Sequence, residues 1–497
     1  MSGTDGNLAL YSSFSKGIYA MSALREAVDE TKRARSHQHA RPRIGRLMST
    51  ALLFGASCTV SAQTLAPSGC PIYHCTPEAT SLIASPVIPA VLVTNENHGL
   101  GTLGPQGCSG NGTILACLYE TDTAPADVAG TLKVLDATTL LPLWGSAAAP
   151  NSYNPAPLRA SHGGQVPLVF SDGSLAAGDD SYFVHYDSAG GVIAKLKLRG
   201  GTGNDFGLTP ISSSLGVISQ GGGELTLVNM SEWKRLDAMT LTDPTTRAPI
   251  NLMVPSSGGD GFLYAIGYNT ANGIGTLYVV GVSADNKLFV RSDFTFTGVS
   301  GASPVVVTSA MSGLPADLVI LDVPGLIGDP TPENRLLGLE NTPDGLLQTW
   351  VIPLSERVTV TPTMDSVSGS LFYLGGDNIV YQAALTTGAP IAGFNLQVMS
   401  GVPAQLTFNG HIGASQTGSV FTLLLTGSNT PSKGPEYALA FQPLVSPNAI
   451  EWIEKISSKG LGYTGAWNFA PASQASAVCP IIVENFNESS IVRMCDH

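Results

Sequence analysis

The sequence is short of charge. Of its 497 residues only 12% are Asp, Glu, Lys or Arg, and 7% are aromatic. Long stretches of Ala, Glu, Lys and Leu are missing, which excludes a helical bundle. Past residue 62 no apolar run reaches the ~18 residues that a membrane-crossing helix needs, so no transmembrane span is expected there. No C-x2-C pair exists and no histidine stands at ligand spacing, which excludes a structural zinc site. The G-x-S-x-G elbow and the H-E-x-x-H helix are also absent. "GGTGNDFG" (200–207) is glycine-rich but lacks the phosphate-binding lysine, and no long helix follows it. It reads as a loop, and "GGDG" (258–261) as a turn.

What the chain does have is glycine (56), proline (33) and 43% hydrophobic residues. That composition suits many short strands joined by tight turns. The basic residues are unevenly spread. Lys32, Arg33, Arg35, Arg41, Arg43 and Arg46 cluster ahead of the short apolar run "LMSTALLFGASCTV" (47–60), and small residues Ser61 and Ala62 follow. This is the anatomy of a secretory signal peptide cut after Ala62, so residues 1–62 are expected to be an extension plus signal. The long preface before the signal is read as a misplaced start codon. "GASC" (55–58) faintly resembles a lipoprotein box, but Gly55 stands where Leu is usual, and no lipid anchor is expected. Removing residues 1–62 takes away eight of the 24 Lys and Arg but only four of the 37 Asp and Glu, so the net charge of −13 becomes more negative still. A surface that acidic disfavours nucleic acid, which needs cations to neutralise phosphate.

Cys70, Cys75, Cys108, Cys117, Cys479 and Cys495 remain after the cut. An even set in an exported chain reads as up to three disulfides. Neighbour pairing (70–75, 108–117, 479–495) is the default, and a clamp joining the first pair to the last is the alternative. The expected location is the periplasm or the outside of the cell.

"LKVLDATTLLPLW" (132–144) alternates, turns at Asp-Ala-Thr-Thr, and alternates again into a tryptophan. Prolines that open apolar stretches fall at Pro86, Pro167, Pro210, Pro255, Pro304, Pro362 and Pro403, spaced 81, 43, 45, 49, 58 and 41 residues apart. Four-stranded propeller blades repeat at ~40–50 residues. The pieces recur in kind: "PTMD", "SLFYLG", "NIVYQAAL" and "PIAGFNL" in one interval, "GVISQ", "ELTLVN" and "WKRLDAM" in another. Blades stack face to face, so apolar runs appear beside clean alternation, and Gly, Asn and Asp suit the hairpin turns. Trp144, Trp350 and Trp452 on fourth strands are expected to cap the seams. The fold expected is all-β: a seven-bladed β-propeller of four-stranded antiparallel blades over 86–456, a Cys-containing segment over 63–85, and a Cys-containing tail over 457–497. The alternative is eight blades, the tail pairing with residues 64–85 to close the ring.

"LDATTLLPLW" and "LTTGAPIAGF" resemble the repeat of quinoprotein-like (PQQ-type) propellers, and so do the starts "TPI" (209–211), "SPV" (303–305) and "TPT" (361–363). The resemblance implies a propeller and, where cofactor features match, a pyrroloquinoline quinone dehydrogenase. The adjacent cysteines that grip the quinone in that family are missing here and tryptophans are few, so no quinone cofactor is expected.

Loops joining second to third strands share one face with the loops joining blades, and acids fall among them. The candidates for a ligand or cation at the channel mouth are Asp179, Asp180, Glu224, Asp329 and Asp377, with His162, Arg199 and Asp205 from inter-blade loops. Converging carboxylates could hold Ca²⁺; the competing reading is that Asp and Asn are good turn residues. His185 and the alternations Tyr182/Phe183 and Phe372/Tyr373 are read as core. The leading expectation is a non-enzymatic exported module that binds a protein or a small polar ligand. A degenerate quinoprotein or a hydrolase is the second, and an envelope assembly scaffold the third.

Overall fold

The computed structural model describes residues 64–66, 69–72, 75–88, 94–97, 105–120, 130–144, 167–179, 182–198, 205–269, 273–298, 300, 302–325, 333–355, 358, 360–375, 377, 379–399, 401–402, 406–408, 412–426, 436–443, 449–457, 467–472, 476–483 and 490–495. The extension and signal region lies outside them.

These residues form eight sheets of four-strand type. Blade I is Pro105–Gly110, Ile114–Glu120, Gly130–Asp136 and Pro142–Trp144; blade II is Leu168–Val169, Leu175–Asp179, Tyr182–Tyr186 and Val192–Lys197. Blade III is Asp205–Pro210, Leu215–Gln220, Glu224–Asn229 and Lys234–Thr240. Blade IV has a first strand split around Pro255 (Asn251–Leu252, Ser256–Ser257), then Leu263–Asn269, Ile274–Val282 and Leu288–Thr297. Blade V is Val305–Val307, Leu318–Val323, Asn334–Thr342 and Gly345–Leu354; blade VI is Thr363–Asp365, Ser370–Leu374, Ile379–Ala384 and Pro390–Asn395. Blade VII splits its first strand too (Leu406–Phe408, Gly413–Ser415), then adds Val420–Thr426, Glu436–Gln442 and Ala449–Ser457. Blade VIII takes Asn468–Pro471, Val478–Val483 and Ser490–Arg493 from the C-terminus and its outermost strand, Thr94–Asn97, from the N-terminal part.

The ring therefore has eight blades, and the seven-bladed expectation is corrected. Pro86 opens no blade; blade I begins at Pro105, within the long interval of 81 residues that follows Pro86. The eighth blade was hidden because its fourth strand, "TNEN", is short, polar and far in sequence from its partner. It is also not residues 64–85 that complete it.

The turns form for local reasons. The Asp136 carboxylate accepts from the backbone N–H of Thr138 and Thr139 at 2.9 and 2.7 Å. Asp172, Asp187, Asn229 and Asp243 hold their own turns in the same way. Such side chains replace a backbone partner and stabilise the reversal.

Eight apolar clusters fill the eight seams. The closing one joins Leu115 and Leu135 of blade I to Ile481 and Ile491 of blade VIII. Burying an aliphatic side chain of this size stabilises by roughly 1.5–3 kcal/mol. Tryptophans of the fourth strands lock two seams against glycine. A Cβ at Gly190 of blade II would lie 2.7 Å from the Trp144 ring, and one at Gly388 of blade VI 2.8 Å from Trp350. Both glycines also have positive φ, 87° and 65°, which a side chain resists.

The three disulfides are Cys70–Cys75, Cys108–Cys117 and Cys479–Cys495, the neighbour pairing. Cys108–Cys117 joins the first two strands of blade I, and Cys479–Cys495 ties the second strand of blade VIII to the end of its third. All four of these cysteines lie in the closing seam.

Residues 64–88 run along the channel. Inner strands expose a free hydrogen-bonding edge to the axis, and this segment covers it. Thr64 and Ala66 bond blade II, and Gly110 of blade I donates to the Cys70 carbonyl at 2.8 Å. The chain then passes the blades in order. Ser257 of blade IV donates to Pro77 and Val306 of blade V to Glu78; Thr363 of blade VI donates to Thr80 through its hydroxyl. Leu82–Ile83 pairs in parallel with Ala414–Ser415 of blade VII, and Val87 bridges Val478 of blade VIII. Three non-glycine residues, Cys75, Ala79 and Ser81, take positive φ there. One blade per few residues requires so tight a curl, and each such residue costs of order 1 kcal/mol.

Replacing Cys479 and Cys495 together by Ser should lower unfolding stability by about 3 kcal/mol, as expected for a loop of this length. Urea denaturation of the exported chain measures it, and a loss under 1 kcal/mol would show that the bond adds little to the closing seam. His185, 2% exposed, sits between Ser174 and the stacked Trp233 ring. Burial lowers its pKa to about 4. The unfolded chain therefore binds the extra proton between about pH 6.5 and 4. Stability should fall as pH falls through that window, and His185→Gln should flatten the slope.

Candidate functional site

Of the expected mouth residues, Glu224 and Asp377 are described with their side chains, and they lie on different blades. Asp179 ends the second strand of blade II and Asp205 opens the first strand of blade III. Their side chains lie outside the described residues, as do Asp180, Asp329, His162 and Arg199 altogether. Glu224 opens the third strand of blade III, directly across from Gln220. Asp377 belongs to blade VI, three blades further round. Among the described residues no group of three His, Cys, Asp or Glu side chains is placed to hold a metal ion.

A second polar network sits on the opposite face, between the channel segment and blades IV and V. Asp260 accepts from the Tyr264 hydroxyl at 2.7 Å and from the Asn341 amide at 2.8 Å. Asp317 accepts from the backbone N–H of Ser309 at 2.7 Å and of Asp260 at 3.2 Å. Burial raises the pKa of Asp317 and of Glu78 in the channel segment, and each also feels a neighbouring carboxylate. The donors and acceptors of this network are matched within blades IV and V, and the segment is held beside it by the backbone bonds from Ser257 to Pro77 and from Val306 to Glu78.

Asp377 is different. It lines a recess of about 80 Å³ together with Pro353, Leu354, Ser355, Tyr373, Gly375 and Tyr381. Pro353–Ser355 come from the end of the fourth strand of blade V, and the rest from the second-to-third-strand turn of blade VI. The recess thus opens at the V/VI seam on the face where the mouth acids were expected. Asp377 accepts from the Ile379 N–H at 3.2 Å and from the Tyr381 hydroxyl. Tyr373 and Tyr381 stack, with centroids 5.3 Å apart and planes 16° apart. Gly375 makes the close approach possible: a Cβ there would fall on the Asp377 carboxylate and 2.9 Å from the Tyr381 ring.

Tyr373 is 4% exposed. Its pKa is pushed up to about 12 by burial first, then by Tyr381 and Asp377. Its ring packs in the V/VI core cluster, as the sequence reading had it, and the residue also lines the recess. The sequence reading missed this second role, and Tyr381 entirely. A usable signal was present: Asp377 and Tyr381 are four apart, which puts them on one face of an extended strand.

The chain is an eight-bladed β-propeller. No family model matches the sequence, and no curated protein matches it either. Among solved structures it is similar to Sqt1 from Chaetomium thermophilum, at 12% identity over 81% of this chain and 100% of that chain, TM-score 0.52. It is also similar to a europium-containing methanol dehydrogenase (10% identity, 84% and 90% coverage, TM-score 0.48). A third is the beta-propeller domain of Cps50 (Swd1) from Myceliophteria thermophila (13%, 65% and 94%, TM-score 0.39). Likeness at such identities speaks for the fold alone. The cysteines that a quinone would require side by side are instead 5, 9 and 16 residues apart in their disulfides.

NMR of labelled tyrosine rings should find Tyr373 still protonated well above pH 10 and ionising near pH 12. Asp377→Asn should move that ionisation down, because a neighbouring negative charge disfavours the phenolate. An unchanged titration would place Tyr373 away from the carboxylate.

Proposed function

We propose that this protein is an exported binding module that engages its ligand through the V/VI recess. Three disulfides fit an oxidising compartment, and the signal-like residues 32–62 support export. No helix among the described residues is long and apolar enough to cross a membrane. The observation that carries the reading is the recess itself: a carboxylate beside two stacked tyrosine rings, at a seam between two blades. Apolar walls with a few converging polar groups are the usual makeup of ligand sites. The channel axis offers less, since the described residues of the 64–88 segment bond to seven of the eight blades, all but blade III.

A photo-crosslinking residue placed at Ser355, on the rim of the recess, tests this. The control position is Val367, 73% exposed in the first turn of blade VI on the opposite face. In the native host, a defined adduct at 355 that is missing at 367 is expected, and Asp377→Asn should reduce it at least fivefold. Equal labelling at both positions, or none at 355, would reject the recess as the contact site.

A further inference from the structure

The chemistry of the recess specifies its ligand. Resting on the reading of this recess as the contact site, we propose that it receives one guanidinium group, carried by an arginine side chain of a partner protein or by a small free guanidine compound.

Four observations carry this. First, among the described lining residues the only formally charged group is the Asp377 carboxylate, and none of them is basic. Two of its acceptor sites are used, by Ile379 and Tyr381. A carboxylate offers about four, so it has room for the forked N–H donors of a guanidinium. Second, Tyr373, 4% exposed, lines the same recess, and a phenol oxygen can accept a guanidinium N–H. Third, two stacked rings form one side, and a planar cation packs on aromatic faces better than a strongly hydrated ammonium does. Fourth, at about 80 Å³ the recess admits a single small head group and no nucleotide or oligosaccharide. An anionic ligand would meet Asp377 with no cation among the described lining residues to offset it. The overall charge of −13 acts in the same direction, drawing cationic partners toward the surface.

The test uses the whole exported chain with its disulfides intact and ¹³C-labelled tyrosine. The probes are N-acetyl-L-arginine amide, its neutral isostere N-acetyl-L-citrulline amide, methyl glucoside, and a capped Gly-Gly-Arg-Gly-Gly peptide. The arginine amide should shift the Tyr373 and Tyr381 ring signals saturably, and citrulline amide and methyl glucoside should bind at least tenfold more weakly. Asp377→Asn should weaken arginine amide at least tenfold. Ser355→Trp, which fills the rim and leaves Asp377 and both tyrosines in place, should abolish binding while the thermal midpoint is kept. Tighter binding of the peptide than of the amide assigns the guanidinium to a partner's side chain, and equal binding assigns it to a free compound.

Citrulline amide or methyl glucoside binding as well as arginine amide would overturn the proposal, as would equal binding by wild type and both variants. The two readings fail separately. If the adduct at position 355 falls on Asp377→Asn while arginine amide produces no shift, the guanidinium falls and the recess stands. If the adduct is unchanged by Asp377→Asn, the recess falls as well.

Discussion

A ring of sheets exists only if its last sheet can be pressed against its first. In this protein that contact is the seam between blades VIII and I, and the other features gather around it. Leu115, Leu135, Ile481 and Ile491 supply the apolar contact. Strand exchange adds the backbone bonds between Thr94–Asn97 and Ser490–Arg493. Each such bond contributes only ~0.5–1.5 kcal/mol net, so the apolar burial is the larger force and the exchanged strand sets the register. Two disulfides flank this seam, one in each of its blades. The remaining six seams between consecutive blades I to VII, and the one between VII and VIII, join neighbours along the chain and need no such fastening.

Close packing at the seams decides where a ligand can go. Where an indole lies on a glycine, as Trp350 does on Gly388, the gap between blades is sealed over that turn. The same pair of blades opens on the other side. There the fourth strand of blade V ends at Leu354 and a tight turn at Gly375 brings Asp377 beneath it. One seam thus has a closed end, where residues are matched for packing, and an open end, where Asp377 and two tyrosines line a recess.

Much of this was legible in the sequence because strands and turns are written locally. The quartets of blades III, V and VI follow from alternation and from the Asp, Asn and Gly between them, and neighbour pairing of the cysteines followed from their spacing. What could not be read depends on partners far along the chain. "TNEN" has no apolar alternation, since an outermost strand needs only its backbone to pair. Residues 64–88 have no period at all, because successive residues answer to different blades. The loops at Asp180, Asp329, His162 and Arg199 remain sequence expectations, outside the described residues. Asp377 was found as a good turn residue, and its two tyrosines gained meaning only when the blade V terminus was laid over them.

The axial segment changes how the molecule should come apart. In an open array of repeats each unit senses only its neighbours, so stability is close to a sum of local terms and ends can fray independently. Here one strip of backbone is fastened in turn to blades IV, V, VI, VII and VIII, having started at blades I and II. Loosening one blade strains anchor points on sheets it never touches. The chain is thereby made to lose its order as a whole, in one cooperative step, rather than by peeling blade after blade.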